Sequence, residues 1–246
     1  TRRSSDLEHV VTADDGTLSG TSDDITTQPG MATQYVILDP TDGTAGTTIT
    51  VTVQAQDANG NVATGEARDV TLVASGSATG GGLVDIVAGV GTIDINDTVA
   101  ETVDLSLDDT ESTGLDVTST QDVVFGAGTA TQYLVTSSDY APEVGTQVTI
   151  TAQLIDADSN AVSHADSVVT WSSTNGGTFN TATSTTEANG VATVTFTVSN
   201  VAGTEHVVTA DDGTLSGDSE PITTVPGSPT QYLVTSSDYA PEVGTQ

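Results

Sequence analysis

The 246-residue sequence contains no cysteine and no lysine. Their absence excludes disulfides, thiolate zinc sites, cysteine nucleophiles, Schiff-base chemistry and lysine–asparagine isopeptide crosslinks. Basic residues are nearly missing as well, with 3 Lys+Arg against 34 Asp+Glu and a formal net charge of -31. Nucleic acids and anionic lipid surfaces are bound mainly through Lys and Arg, so we expect neither as a partner.

Long apolar runs are also missing. No stretch approaches the roughly 18 continuous apolar residues of a membrane-spanning helix, so we expect no membrane insertion by this sequence. Methionine and tryptophan occur once each, whereas the β-branched residues Thr and Val are abundant and 25 glycines punctuate the chain. This composition favours strands over helices and predicts an all-β protein.

Identical segments recur along the chain. TQYLVTSSDYAPEVGTQ occurs at 131–147 and again at 230–246, and EHVVTADDGTLSG occurs at 8–20 and again at 205–217. A diverged copy of the first segment begins at Thr33. The TQY tyrosines are Tyr35, Tyr133 and Tyr232, so the repeat steps are 98 and 99 residues. A repeat of this length matches one small β-sandwich.

The repeat phase predicts four segments along the chain. These are the C-terminal strands of a preceding repeat (1–29), two whole repeats (30–128 and 129–228) and the first strand of a following repeat (229–246). Two strands or one cannot bury a core, so we expect the partial repeats to be completed by flanking repeats or by other chains. The junctions are short and contain Gly and Pro, which predicts a semi-rigid rod.

Apolar residues alternate at period two within each whole repeat. In the second repeat this predicts strands at 147–156, 167–173, 190–199 and 205–211, separated by turns rich in Asp, Asn and Gly. The same alternation of apolar residues occurs in the first repeat, where the last strand is predicted over 115–125. Roughly seven strands in each repeat predict tandem immunoglobulin-like (Ig-like) sandwiches arranged end to end.

The second repeat contains VTITAQLIDADSNAV, VVTWSSTNGGTF, TTEANGVATVTFT and AGTEHVVTADDG, in that order. This order resembles the bacterial Ig-like repeats of the invasin and intimin type. Ser159 stands where that pattern has a glycine, and the first repeat, which keeps QAQDANGNVAT, lacks the aromatic strand residue. The resemblance implies an extracellular, cell-surface location in a stalk, spacer or adhesive tip.

The aromatic residues favour structural roles over ligand binding. Trp171 lies in a predicted strand, where a lone Trp is typical of a sandwich core. We expect the tyrosines of the TQY segments to pack at the repeat junctions. For Tyr140 and Tyr239, each followed by a proline two residues later, buried and exposed positions both stay open.

Catalytic motifs are missing from the sequence. His9 and His206 occupy the same repeat position, and His164 in a predicted loop has no nucleophile elbow beside it. There is no H-E-x-x-H motif and no phosphate-binding loop. The sequence therefore predicts no enzyme activity.

The carboxylates are the chemical feature in excess. Asp57-Ala58-Asn59-Gly60-Asn61 and Asp156-Ala157-Asp158-Ser159-Asn160 match ligand positions 1, 3 and 5 of a calcium loop but lack its closing acid. Ig-like topology brings opposite poles of successive repeats together, so a junctional calcium site could draw on both repeats. The candidate ligands are Asp39, Asp42, Asp97, Glu101, Asp156, Asp158, Asp211 and Asp212. The alternative is an acidic surface adapted to high salt, without specific cation sites.

These observations predict a structural stalk or filament of a prokaryotic surface protein from a saline habitat. Its partners would be neighbouring copies of the same repeat, and the final repeated segment could add as a strand to another chain. The alternative function is an adhesive module that binds a glycan, ice or a receptor. That module would need an inserted loop or an exposed aromatic patch that the other repeat lacks, and GSATGGGLVDIVAG at 76–89 is the best candidate for such a loop.

Overall fold

A computed structural model describes residues 8–235, 237, 240 and 242–244. Over this part of the chain all regular secondary structure is β-strand, which confirms the predicted all-β class. None of it forms a helix with the length and apolarity needed to cross a membrane. The chain divides into two compact units. The first contains the residues up to 130 together with 155–162, and the second contains 131–154 and the residues from 163 onward.

The first unit opens with short strands whose side chains are largely exposed. Two antiparallel pairs form, β1 with β4 and β2 with β3. An Asx turn closes the second pair, because Asp15 Oδ1 accepts hydrogen bonds from the N–H groups of Thr17 and Leu18. The strands are β1 (Glu8–His9), β2 (Thr12–Asp14), β3 (Ser19–Thr21) and β4 (Ile25–Thr26).

The rest of the first unit is a sandwich of two sheets. One sheet has the order β5-β7-β11-β9 and the other β10-β8-β12-β13-β6. The strands are β5 (Gln34–Ile37), β6 (Gly43–Thr44), β7 (Thr48–Gln56), β8 (Val70–Ala74), β9 (Thr79–Gly80), β10 (Gly82–Val84), β11 (Val90–Asn96), β12 (Thr102–Asp108) and β13 (Thr120–Gly126).

The core of the first unit lies between these sheets. Alternate residues of the long strands point inward, as the period-two pattern predicts. The two faces meet in one cluster whose largest buried members are Tyr35, Phe125, Ile37, Leu72, Ile86, Ile95 and Leu105.

The second unit is also a two-sheet sandwich, with the orders β14-β15-β19-β17 and β18-β16-β21-β22. Its first strand, β14, is the neighbour of β15 in one sheet and also has a parallel bridge to the other sheet, from Val135 to Ser219 beside β22. This strand arrangement is that of an Ig-like domain. The strands are β14 (Gln132–Ser137), β15 (Gln147–Ile155), β16 (Val168–Ser173), β17 (Thr178–Phe179), β18 (Thr183–Thr185), β19 (Val191–Thr197), β20 (Glu205–His206), β21 (Val208–Asp211), β22 (Ser216–Asp218) and β23 (Ile222–Thr223).

Two predicted strands differ from the observed ones. The strand predicted over 205–211 is divided into β20 and β21, because the Val207 N–H donates to Thr174 Oγ1 and leaves the ladder. The strand predicted over 115–125 begins only at Thr120. Before it, Asp116 runs parallel to β5, accepting a hydrogen bond from the Tyr35 N–H and donating one to the Thr33 carbonyl. The repeat boundaries themselves stay a prediction.

Candidate functional site

Trp171 lies on β16 and is only 5% exposed. Its indole Nε1–H donates to Ser184 Oγ at 2.9 Å, so the polar edge of the ring is satisfied inside the sandwich. A buried, hydrogen-bonded indole of this kind supports the core. The core interpretation of Trp171 is therefore confirmed.

The tyrosines of the TQY segments differ in environment. The hydroxyl of Tyr35 donates to the Arg68 carbonyl at 2.6 Å, and that of Tyr133 donates to Asp212 Oδ2 at 2.9 Å. Burial raises the pKa of each to about 12. Tyr133 is 3% exposed, whereas Tyr232, in the identical downstream segment, is 97% exposed. Tyr140 is partly exposed and its hydroxyl accepts from the Ser137 N–H; Tyr239 lies outside the described residues.

The histidines show how the same sequence position meets two environments. His206 is fully buried, with Nδ1 3.1 Å from the Thr174 carbonyl and Nε2 accepting from the Ser199 N–H. These partners fit a neutral ring protonated at Nδ1. Its ring also packs edge-on against Phe196. His9 and His164 are exposed.

Asp57 and Asp156 follow the long strands β7 and β15. Each carboxylate is nearly fully buried and folds the turn after it. Asp57 Oδ1 accepts from the N–H groups of Asn59 and Asn61, both at 2.9 Å. Asp156 Oδ1 accepts in the same way from Asp158 and Asn160, at 3.0 and 2.8 Å. The turn geometry survives the change from Gly60 to Ser159, since both have a positive φ, 79° and 71°.

The second oxygen of each carboxylate accepts a hydrogen bond from a glycine that precedes the first strand of a sandwich, β5 or β14. Asp57 Oδ2 accepts from the Gly30 N–H at 2.8 Å, and Asp156 Oδ2 accepts from the Gly128 N–H at 2.7 Å. A Cβ on either glycine would lie 3.3 Å from the carboxylate that it meets. We call each pair, Asp57 with Gly30 and Asp156 with Gly128, a linker clamp.

Hydrogen bonds keep both clamp carboxylates ionised. The Asn61 side chain, followed by the Gly30 N–H, lowers the pKa of Asp57 to about 2. For Asp156 burial acts in the opposite direction, but donation from Gly128 and Asn160 outweighs it and the pKa is lowered. In these two turns, the residue spacing that resembles a calcium loop places the aspartate oxygens where they accept hydrogen bonds from N–H groups.

The eight residues predicted as calcium ligands are distributed as follows. Asp39, Asp42, Asp158 and Asp211 are exposed, Glu101 and Asp212 are partly buried, and Asp97 and Asp156 are buried. Asp42 accepts from the Val124 N–H, and Asp211 and Asp212 accept from N–H groups of the turn between β21 and β22. In the described part of the chain, no three His, Asp or Glu side chains form a group able to hold a metal ion. The eight-residue assignment stays a prediction.

Ser77 brings two of these acids together. Its hydroxyl lies 2.8 Å from Asp97 Oδ1 and 2.8 Å from Glu101 Oε1. The Ser77 N–H donates to the same Glu101 oxygen at 2.7 Å. Asp97 and Glu101 thus differ from the other six candidate acids because they share a hydrogen-bonding hydroxyl. The sequence spacing did not indicate the role of Ser77.

The unusual stretch at 76–89 connects the two sheets of the first unit. It contains β9, which pairs with β11, and β10, which pairs with β8. Gly80 has a φ of 92°, and a Cβ there would lie 2.4 Å from the Asp94 carbonyl oxygen. The glycines therefore allow the chain to pass from one sheet to the other at close range.

Comparison with known proteins gives similarity at the level of fold. No family model matches the chain, and no curated protein matches it. Similar solved structures include the D0-D1 domain of intimin, with 20% identity and a TM-score of 0.34 over 79% of this chain and 98% of that one. Invasin, described as a bacterial integrin-binding protein, has 16% identity and a TM-score of 0.46 over 90% of this chain and 46% of that one.

An enzyme containing similar domains is also found. A glycosyl hydrolase family 2 member from Bacteroides cellulosilyticus has 15% identity and a TM-score of 0.39, over 73% of this chain and 23% of that one. Intimin and invasin are the proteins whose repeats the sequence motifs resemble. Domains of both proteins are among the solved structures to which this chain is similar.

Proposed function

We propose that this chain is part of an extracellular stalk or filament of a prokaryotic surface protein. The observation that carries the proposal is the occurrence of two sandwiches, each with its own buried core, in a chain whose TQY segments recur at steps of 98 and 99 residues. Repetition of this kind sets length and transmits force without a catalytic centre. The invasin and intimin domains that resemble it are parts of surface proteins, which supports the extracellular location.

Parallel contacts between a segment near the start and a segment near the end of each sandwich suit it to bear load. In the first unit β6 pairs in parallel with β13, and in the second Glu143 pairs in parallel with Val225. The Val144 N–H donates to the Val225 carbonyl at 3.0 Å, and the Val225 N–H donates to the Pro142 carbonyl at 2.9 Å. Pulling the two ends of a unit apart loads such bonds together in shear, so they must break nearly at once.

Mechanical extension of single molecules tests the stalk role. We expect two unfolding events, each releasing about 99 residues and therefore about 33 nm of chain. Val144→Pro removes one shear-bearing N–H at position i+1 of the turn closed by Thr146 N–H and Glu143 O, where proline is favoured. This variant should lower the unfolding force of one event only, with the other as internal control. Extension without resolved force peaks would contradict a load-bearing role.

The acidic surface supports a saline setting within this proposal. Asp104 on β12 lies directly opposite Asp122 on β13, and both are exposed. Like charges at such cross-strand positions repel, and molar salt shortens the screening length to about 3 Å. Where the salt concentration is high, this repulsion is screened, so an acidic surface of this kind keeps the protein dissolved without destabilising the fold.

We also propose that copies of the chain associate by strand addition. Tyr133 and Val135 on β14 are buried against the second unit, whereas Tyr232, Leu233 and Val234 in the identical downstream segment are exposed. The sequence to which β14 docks, EHVVTADDGTLSG at 205–217, recurs at 8–20, and the side chains of 9–20 are exposed. Residues 230–235 of one copy would therefore lie along β2 and β3 of a second copy, as β14 lies along β22.

Gly20→Ala tests this association. In the second unit a Cβ on the equivalent Gly217 would lie 1.9 Å from the Tyr133 carbonyl oxygen, whereas a Cβ on Gly20 meets nothing within 4 Å. The substitution should leave the melting temperature of the chain unchanged and block the docking of a second copy. Light scattering at rising protein concentration should show association of the native chain and of the control variant Gly65→Ala, but not of Gly20→Ala. Association unaffected by Gly20→Ala, or a native chain that stays monomeric, would refute strand addition.

A further inference from the structure

Asp97 ends the long strand β11 in an unusual state. Its side chain is 2% exposed, and Oδ2 has no hydrogen-bond partner among the described residues. The other oxygen, Oδ1, accepts from the Val99 N–H and from the Ser77 hydroxyl, both at 2.8 Å. Burying half of a carboxylate without a donor is costly, so this oxygen is available to ligate a cation.

Glu101 adds to the imbalance of charge and hydrogen bonding. Ser77 Oγ is within 2.8 Å of both Asp97 Oδ1 and Glu101 Oε1, but a hydroxyl has only one hydrogen to donate. Two carboxylates therefore approach one oxygen, and only one of them receives its proton. Among the described residues the only ion pair joins Arg68 to Glu66, so no basic side chain neutralises this pair. A cation beside Asp97 and Glu101 would neutralise the two carboxylates and would also give Asp97 Oδ2 a partner.

A third carboxylate, that of Asp158, belongs to the same unit and lies beside Gly46. Asp158 Oδ2 would be 2.9 Å from a Cβ on Gly46, and the Gly46 N–H donates to the Asp97 carbonyl. The neighbouring Asn160 is fixed to the segment after Asp97, since its Nδ2 donates to the Thr98 carbonyl at 2.9 Å and its Oδ1 accepts from the Ala100 N–H at 2.8 Å. The turn at 156–160 is thus fastened beside Asp97.

We propose that Asp97 Oδ2 and the Glu101 carboxylate form a calcium site of the first unit, with Asp158 drawn in as the cation binds. The inference rests on the proposed stalk function and gives it a point of regulation by calcium. Calcium accepts six to eight oxygen ligands in flexible geometry, so two or three carboxylates with carbonyls and waters suffice, whereas magnesium demands a regular octahedron. With so few charged ligands in place, the affinity should be that of extracellular modules, about 0.1–1 mM.

Binding of calcium has a structural consequence for the turn at 156–160. Asp158 is exposed, while the hydrogen bonds of Asn160 keep the backbone of the turn in place. A cation held by Asp97 and Glu101 would attract Asp158 and restrain the turn. Because the same turn contains the clamp residue Asp156, calcium would stiffen the linker clamp that holds Gly128.

Calorimetric titration of the full chain with calcium chloride, at constant ionic strength, tests the site. We expect saturable binding with a Kd of about 0.1–1 mM for the native chain. Asp97→Asn and Glu101→Gln should each raise the Kd at least tenfold, since a charged ligand is lost while the acceptor for Val99 or Ser77 is kept. Asp108→Asn, at an exposed carboxylate on β12, is the matched control and should bind as the native chain does.

Hydrogen exchange supplies a second readout. Calcium should slow amide exchange at 156–160 in the native chain and in Asp108→Asn, but not in Asp97→Asn. Absence of saturable binding, or binding unchanged in both Asp97→Asn and Glu101→Gln, would overturn the site. The force and association measurements, made in the presence of a calcium chelator, report on the stalk proposal separately, so the two can fail independently.

Discussion

Replacing Trp171 by alanine is expected to lower the free energy of unfolding of the second unit by about 3–5 kcal/mol. The indole fills the space between the two sheets and is 5% exposed, so its removal leaves a cavity and an unpaired Ser184 hydroxyl. Small domains are stable by only about 5–15 kcal/mol, and this loss is a large part of that margin. Calorimetry should show one transition moved to much lower temperature and the transition of the first unit unchanged.

Two further substitutions separate packing from hydrogen bonding at Trp171. Ser184→Ala removes only the acceptor of the indole N–H and should cost about 1–3 kcal/mol, because the buried donor loses its partner. Trp171→Phe keeps most of the volume and should fall between the other two variants. If Trp171→Ala shifted neither transition, the ring would not belong to the core in solution.

The sequence was sufficient to predict the class and strand pattern of both units because period-two alternation reflects burial directly. The strand predicted over 147–156 is observed as β15, and that over 190–199 as β19. The strand predicted over 115–125 was wrong in its first half, because Asp116 bonds to β5 and not to the partners of β13. Such a change of sheet depends on contacts more than 80 residues apart, which local alternation does not record.

The carboxylates illustrate a second limit of sequence patterns. The spacing Asp-x-Asn/Asp-x-Asn suits calcium ligation and N–H capping equally, since both require oxygens placed around a tight turn. What distinguishes Asp57 is the Gly30 N–H, 27 residues upstream, which takes up its second oxygen. The unpartnered Oδ2 of Asp97 had no sequence signature either, because the Ser77 hydroxyl and the Val99 N–H both bond to Oδ1, and Ser77 lies twenty residues upstream.

Repeated segments show most clearly what local sequence leaves undetermined. EHVVTADDGTLSG is identical at 8–20 and 205–217, yet Val208 and Ala210 are buried while Val11 and Ala13 are exposed. The difference arises from the strands that each copy contacts, above all β14. Identical residues therefore have different tolerance to substitution in the two places, and this makes each copy the natural control for the other.

Gly217→Ala exploits this pair of environments and is expected to destabilise the second unit by more than about 3 kcal/mol. A Cβ on Gly217 would lie 1.9 Å from the carbonyl oxygen of Tyr133, a backbone atom that cannot move without displacing β14. Displacement exposes the buried side chains of Tyr133 and Val135 and breaks the hydrogen bond from Tyr133 to Asp212. The φ of Gly217 lies outside the left-handed region, so the cost is steric and not conformational.

Gly20→Ala is the matched control, since it makes the same substitution in the same thirteen-residue sequence. A Cβ there meets nothing within 4 Å, so the free energy of unfolding should change by less than about 0.5 kcal/mol. Thermal unfolding compares the two variants, and hydrogen exchange at β14 and β22 locates the damage. Gly217→Ala should make the β14 amides exchange rapidly and leave those of the first unit protected. Equal stability of the two variants would mean that β14 does not rest against β22 in solution, and the strand-addition model, which copies that contact between chains, would lose its structural basis.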